Sequence, residues 1–228
     1  MKTLQEMCTP RESVFDVSKR DTVLSLTHLA ADKIDAADFL EENHVTDGMR
    51  TLLLEAFRRL QGKSEQAVFK LTQAMGGGKT HNLIALGMLA KHPTLRARVL
   101  GGLPSDKELP PVRVVAFSGR ETDVPHGIWG EIARQIDKFD AFKDYYSPLK
   151  APGRTAWVNL LKGEPTLILL DELPPYLDNG KSIAIGNSDL SRVTANKDVE
   201  PTTPGVPNNS PYVYCCSPSF EMCHRLRW

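Results

Sequence analysis

The sequence predicts an α/β fold in which helices cover both faces of a parallel sheet. Three short apolar segments, 67–72, 112–117 and 165–170, have the length and composition of buried strands. The stretches between them carry apolar residues at helical spacing, most clearly in 81–91 and 128–139. Strands that alternate with helices favour parallel pairing, because each connection crosses back over the sheet.

The composition is that of an ordinary globular chain. Of its 228 residues 41% are hydrophobic and 25% are charged, so a hydrophobic core is expected without disulfides or metal. Lys and Arg total 28, as do Asp and Glu, and this zero net charge argues against a strongly cationic nucleic-acid binder. No apolar run is long enough to span a membrane, and the first residues lack the apolar stretch of a signal peptide. The predicted location is therefore the cytoplasm.

Changes in composition along the chain predict three parts. Residues 1–62 are a mainly helical N-terminal segment, whose clearest helix is capped by Thr46 or Asp47. Residues 63–193 contain the strands and the helices between them. Residues 194–228 are predicted to be an irregular or disordered tail, because repeated prolines interrupt any helix there. We hypothesise that this tail is translated out of frame; a genuine disordered tail is the alternative.

A glycine-rich loop between the first strand and the next helix has the pattern of a phosphate-binding loop. It consists of Gly76, Gly77, Gly78, Lys79 and Thr80. Glycines let several backbone N–H groups point at one anion, and the start of a helix adds its positive dipole end. Lys79 is predicted to reach the phosphates of ATP, and the Thr80 hydroxyl to bind Mg²⁺.

Two positions around this loop are less typical. Gln73 stands where the full pattern G-x-x-x-x-G-K-[ST] has its first glycine. His81 directly follows the loop and is included among the predicted nucleotide-contacting residues, with a place on the helix surface as the alternative.

Two adjacent carboxylates, Asp171 and Glu172, follow the third strand. Asp171 is predicted to hold Mg²⁺, and Glu172 to orient or deprotonate the attacking water. Lys79 and Glu172 are thus the predicted catalytic residues. Arg120 follows the second strand at the same edge of the sheet, where ligands of open α/β sheets bind. A contact to nucleotide, a contact to a neighbouring subunit and a solvated loop position are its alternatives.

Four segments resemble, in the same order, blocks of a prokaryotic AAA+-like ATPase family known only as a domain of unknown function. They are FLEENHVTDGMRTLLLEAFRRL, FKLTQAMGGGKTHNLIALGMLAKHP, FSGRETDVPHGIWGEIA and PTLILLDELPPYLDNGKSIAIGNSDLSRV. The resemblance extends from about Pro10 to about Val193. It implies binding and hydrolysis of ATP with Mg²⁺, by the residues assigned above. Members are several times longer and are often encoded beside DNA methyltransferase-like and helicase-like proteins linked to phage defence.

The resemblance also implies a fourth strand, later in the chain, between the first and the third. Tyr212 to Cys216 have the composition of a short strand, but the residues after 193 contain no convincing fourth strand, so we expect the first strand to be unpaired on both sides. The predicted fold is therefore α/β, a P-loop NTPase parallel sheet with flanking helices that is incomplete at the C-terminus. For such a chain we expect marginal stability and slow or absent hydrolysis.

The predicted function is that of a truncated P-loop ATPase, which couples Mg-ATP hydrolysis to remodelling or to DNA-linked defence. A nucleotide-gated assembly switch with little turnover is one alternative, and a non-functional fragment is another. The predicted partners are further copies of the chain in a homo-oligomer and DNA methyltransferase or helicase proteins. Contact with DNA is expected to be indirect, and no membrane association is expected.

Overall fold

A computed structural model describes residues 24–72, 76–120 and 124–195 and the backbone of 212–217. The helices of this part are α1 (Leu26–Ala30), α2 (Ala36–Glu42), α3 (Asp47–Leu60), α4 (Lys79–Lys91), α5 (Arg96–Val99), α6 (Gly127–Gln135), α7 (Arg154–Leu161), α8 (Leu173–Gly180) and α9 (Leu190–Thr194). The strands are β1 (Val68–Lys70), β2 (Arg113–Ser118), β3 (Thr166–Asp171), β4 (Ala184–Ile185), β5 (Ser188–Asp189) and β6 (Tyr212–Ser217).

Side-chain caps begin the second and third helices of the N-terminal segment. Asp35 accepts two backbone N–H groups at the start of α2, each at 2.9 Å. The hydroxyl of Thr46 accepts one from the first turn of α3 at 3.3 Å, so Thr46 rather than Asp47 is the cap. The apolar face of α3 buries Leu53 and Phe57 almost completely. The described part of this segment thus contains three helices, α1, α2 and α3.

The main sheet has four parallel strands in the order β1-β6-β3-β2. β6 lies between β1 and β3, with Phe69 of β1 opposite Cys215 and Ile168 of β3 opposite Tyr214. The expectation that the first strand is unpaired on both sides is therefore wrong, because the backbone of β6 pairs with it. The remaining two strands, β4 and β5, form a small antiparallel hairpin.

β6 lies within residues 194–228, which the sequence predicted to be an irregular or disordered tail. Over 212–217 that prediction is wrong. The composition of Tyr212 to Cys216 favours a short strand, and a strand is found there. Its pairing partners precede it by many residues, so the segment alone does not indicate where in the sheet it lies. The other residues of the tail, from 196 to 211 and from 218 onward, lie outside the described residues. The out-of-frame origin of the tail stays a prediction.

Helices pack on both faces of the sheet, as the side chains of β3 demonstrate. Leu167 and Leu169 belong to one core cluster, with the N-terminal helices and α4. Ile168 and Leu170 belong to a second cluster, with α6, α7 and α8. Because successive side chains of a strand point to opposite faces, one all-apolar strand supplies both cores. The mixed α/β class with a parallel sheet and flanking helices is thus confirmed.

A buried arginine holds the chain between α4 and β2. Arg96 is 0% exposed, and its guanidinium donates to the carbonyls of Leu89 at 2.8 Å and of Leu109 at 2.6 Å. It also lies 4.8 Å from the centre of the Phe57 ring. Burial lowers the pKa of Arg96 to about 10, against a smaller opposing effect of Asp106. The side chain remains charged at neutral pH and ties the end of α4 to the loop before β2 by these hydrogen bonds.

Replacing Arg96 with methionine should destabilise the protein by about 2 kcal/mol, because the carbonyls lose a charged donor while the apolar volume is largely kept. Denaturant melts of the wild type and the variant measure this difference. Arg98, an exposed neighbour, provides the matched control Arg98→Met, for which we expect no change beyond about 0.5 kcal/mol. Equal stability of the two variants would contradict a structural role for Arg96.

Over the described residues, every helix is too short or too polar to cross a membrane.

Candidate functional site

The glycine-rich loop leads from the end of β1 to the start of α4. Gly76 and Gly78 have φ angles of 78° and 71°, a left-handed conformation that glycine adopts without steric cost. α4 begins at Lys79, and the N–H of Asn82 donates to the carbonyl of Gly78 at 2.9 Å to close its first turn. The first N–H groups of this turn have no partner within the helix and are suited to hold an anion. Gln73 lies outside the described residues.

Thr80 and Asp171 meet across the carboxyl edge of the sheet. The Thr80 hydroxyl donates a hydrogen bond to Oδ2 of Asp171. Thr80 lies in the first turn of α4, and Asp171 is the last residue of β3 with 4% exposure. The sheet therefore brings together two oxygen-bearing side chains that are far apart in sequence, as the two motifs predicted. Hydroxyl and carboxylate oxygens are ligands that suit Mg²⁺.

Glu172 follows directly and has an unusual backbone conformation. Its φ of 49° lies in the left-handed region, which is uncommon for a residue with a side chain. Its N–H donates to Oδ1 of Asp171 at 3.0 Å, so the two oxygens of Asp171 are held by Glu172 and by Thr80. Such a conformation costs of order 1–3 kcal/mol, and it turns the chain sharply from β3 into α8.

Arg120 forms an ion pair with Glu172, from Nε to Oε2. The Arg120 side chain is 74% exposed and the Glu172 side chain 37%, so water screens the pair and its net free energy is small. Among the alternatives for Arg120, the structure adds one that sequence reasoning did not consider, a contact with the second carboxylate. The sequence indicates this pair only by placing an arginine after the second strand and a glutamate after the third.

Gly119 allows the ends of β2 and β3 to approach closely. Its N–H donates to the carbonyl of Asp171 at 2.7 Å. A Cβ at Gly119 would overlap the carbonyl of Glu172 and would lie 2.8 Å from the Cα of Leu173. Only glycine fits this position without a shift of the backbone that carries Glu172. Sequence reasoning missed this close contact, because Gly119 and Glu172 lie far apart along the chain.

His81 faces the N-terminal helices in the described structure. Its Nε2 hydrogen-bonds to Oδ1 of Asn43, and its ring centre lies 4.8 Å from that of Phe39. Burial lowers the pKa of His81 below its ordinary value. Its predicted contact with nucleotide stays a prediction. Asn43, which sequence reasoning did not single out, thereby lies beside the glycine-rich loop.

The predicted site residues thus converge at one edge of the sheet. Lys79 and Thr80 occupy the first turn of α4, and the two carboxylates end β3. Within the parts of the chain that the structure describes, no cluster of three or more His, Cys, Asp or Glu side chains could hold a metal ion by itself. A cation at this edge would therefore need Thr80, water or phosphate oxygens as further ligands.

Comparison with known proteins supports the resemblance over part of the chain. No curated protein matches the sequence. One sequence family does match, over a range that contains the N-terminal helices, β1 and the glycine-rich loop but ends before β2 and the carboxylates. The predicted likeness to a domain of unknown function is confirmed over that range: residues 11–109 are similar to the family described as the DUF499 N-terminal domain.

Proposed function

We propose that this protein binds Mg-ATP at the carboxyl edge of its sheet and hydrolyses it, as a P-loop ATPase of the AAA+-like kind. The observation that carries this proposal is the meeting of Thr80 with Asp171 beside the glycine-rich loop. Phosphate-loop proteins combine three features that are found here. They are a loop with glycines of positive φ, a lysine at the start of a helix and a hydroxyl next to a carboxylate. The strand order adds support, since β6 lies between β1 and β3.

The residues present fit the cation and the phosphates. The N–H groups after Gly76 and the Lys79 ammonium would hold phosphate oxygens, and Thr80 and Asp171 would hold Mg²⁺ directly or through water. Bound Mg²⁺ supplies charge neutralisation on the phosphate oxygens. Asp171 suits this role because its carboxylate is already oriented by two hydrogen bonds.

Glu172 is the proposed general base. Its carboxylate accepts a proton from the water that attacks the γ-phosphorus, while the bond from that phosphorus to the bridging oxygen breaks and ADP leaves. The backbone of Glu172 is fixed by the close packing of Gly119 and by the N–H bond to Asp171. Its side chain is partly exposed and so accessible to water.

The wider role that we propose is remodelling or DNA-linked defence, carried out as part of a larger assembly. This rests on the resemblance stated above, whose family members are encoded beside DNA methyltransferase-like and helicase-like proteins. Further copies of this chain and proteins of those two kinds are the proposed partners, and contact with DNA would be indirect.

A thermal melt with Mg-ATP tests binding. Ligand that binds only the folded state should stabilise it by about 2.7 kcal/mol at a hundred times the dissociation constant. For a chain of this size that corresponds to roughly 5–10 °C. We expect this shift in the wild type and in the control Lys63→Ala, which changes an exposed lysine away from the loop. Lys79→Ala should lose it. An unshifted wild type, or a full shift in Lys79→Ala, would refute the proposal.

A nucleotide-gated switch with little turnover is the second candidate, and one observation favours it. Arg120 occupies an oxygen of Glu172, the group that would accept the proton from water. While this pair is formed, that oxygen is not available to take a proton from water, so nucleotide would bind without rapid hydrolysis until the pair opens. Comparison of binding with turnover separates the two candidates.

A further inference from the structure

Asn43 connects the N-terminal helices to the first turn of α4. It is the residue that follows α2, and its Nδ2 donates to the carbonyl of Phe39 one turn earlier. Its Oδ1 hydrogen-bonds to Nε2 of His81. One side chain therefore satisfies a free carbonyl at the end of α2 and holds a ring of α4, 38 residues away in sequence.

The bond to Phe39 determines which atom of Asn43 faces His81. Because the amide nitrogen donates to a carbonyl, the amide oxygen points to the ring, and Nε2 must be the donor of that pair. The ring also packs on Phe39, which is buried with 5% exposure. His81 is therefore held by Phe39 of α2 and by Asn43, the C-cap of that helix.

The first turn of α4 is thus held from two sides. Thr80 hydrogen-bonds to Asp171 on the sheet, and the next residue, His81, contacts Asn43 and Phe39 on the N-terminal helices. Thr80 and His81 are neighbours in a turn that the bond from Asn82 N–H to the Gly78 carbonyl closes, so a displacement of one is passed to the other. A ligand that orders this turn therefore also orders its contact with the end of α2.

We propose that Asn43 is a positioning residue for the phosphate-binding turn and that it makes the α2–α3 junction respond to bound nucleotide. The inference rests on the proposed function, since the nucleotide is the ligand invoked. Coupling of two sites is reciprocal in binding free energy. If nucleotide strengthens the junction through His81, then loss of the Asn43 contact must weaken nucleotide binding, by at most the same factor.

Hydrogen exchange of the full chain, with and without Mg²⁺ and a non-hydrolysable ATP analogue, provides the first measurement. In the wild type we expect slower exchange in peptides from 76–90 and, in addition, from 36–46. In Asn43→Ala the first set should still be protected at saturating analogue, and the second set should lose most of its protection. The dissociation constant of the analogue should rise roughly 5-fold or more, the lower end of typical coupling.

Two further variants test whether Asn43 affects nucleotide binding through His81 or only stabilises the end of α2. Asn43→Asp keeps an acceptor for His81 but has no amide donor for the Phe39 carbonyl. It should lose some stability yet retain an affinity close to that of the wild type. His44→Ala changes the exposed neighbour and should alter neither quantity.

The outcomes distinguish this inference from the proposed function. No protection of 76–90 in the wild type would refute nucleotide binding, and the inference with it. Protection of 76–90 without protection of 36–46 would overturn the inference alone. So would an Asn43→Ala variant with wild-type affinity, or an Asn43→Asp variant that binds as weakly as Asn43→Ala.

Discussion

Replacing Glu172 with glutamine should lower the rate of ATP hydrolysis by about 10²- to 10⁴-fold while ATP binding is retained. Glutamine has nearly the same shape but cannot accept the proton of the attacking water. The Lys79 ammonium, the Thr80 hydroxyl and the Asp171 carboxylate are unchanged, so the proposed phosphate and cation contacts persist. Single-turnover hydrolysis of labelled ATP, with enzyme in excess, measures slow rates directly, and the melt shift with Mg-ATP reports binding.

The control for this experiment is Asp178→Asn, which neutralises an exposed carboxylate on the helix that follows Glu172. Its hydrolysis rate should equal that of the wild type. If Glu172→Gln hydrolyses ATP as fast as the wild type, Glu172 is not the base. If the wild type binds ATP but shows no turnover, the nucleotide-gated switch replaces the ATPase as the proposed function.

Replacing Gly119 with alanine should destabilise the protein by about 3 kcal/mol or more, because the added Cβ would overlap the backbone at Glu172. For a chain of this size, that loss corresponds to a decrease in Tm of roughly 6–12 °C. The added Cβ would meet backbone atoms of Glu172 and Leu173, so no side-chain rotation relieves the clash. Hydrolysis should fall as well, since the strand end that carries Glu172 must shift. Thermal melts and single-turnover assays measure the two effects.

Gly101 provides the matched control for this substitution. A Cβ at Gly101 meets nothing within 4 Å, and its backbone is not in the left-handed region. Gly101→Ala should therefore leave both stability and hydrolysis close to the wild-type values. Similar stability of the two alanine variants would contradict the close approach of β2 and β3 at Gly119.

Much of the fold follows from local pattern. The apolar segment 165–170 predicts a strand buried on both faces, and β3 supplies side chains to both core clusters. The apolar pattern of 81–91 predicts a helix directly after the glycine-rich loop, and α4 is found there, beginning two residues earlier at Lys79. Thr46 precedes a helix-periodic stretch and caps it. These features depend on residues within one or two turns of each other, so the sequence carries their full physical cause.

Local sequence patterns also predicted part of the candidate site. The two motifs identified Thr80 and Asp171 separately, and the rule that parallel strands end at one edge predicted their proximity. The ion pair of Arg120 with Glu172, in contrast, could not be predicted. Its partners come from two different strands, and their pairing depends on the register of those strands.

The sequence by itself thus determined the α/β class, the phosphate-loop pattern and the acidic pair, because each is written in spacing and local conformation. Only the tertiary structure decided that residues 212–217 form the strand between β1 and β3, that Gly119 must lack a side chain and that Asn43 holds His81. Each of these joins residues far apart along the chain. Their contacts form only when the sheet and the helices pack and bring these residues together. No local sequence pattern specifies which distant residues will meet.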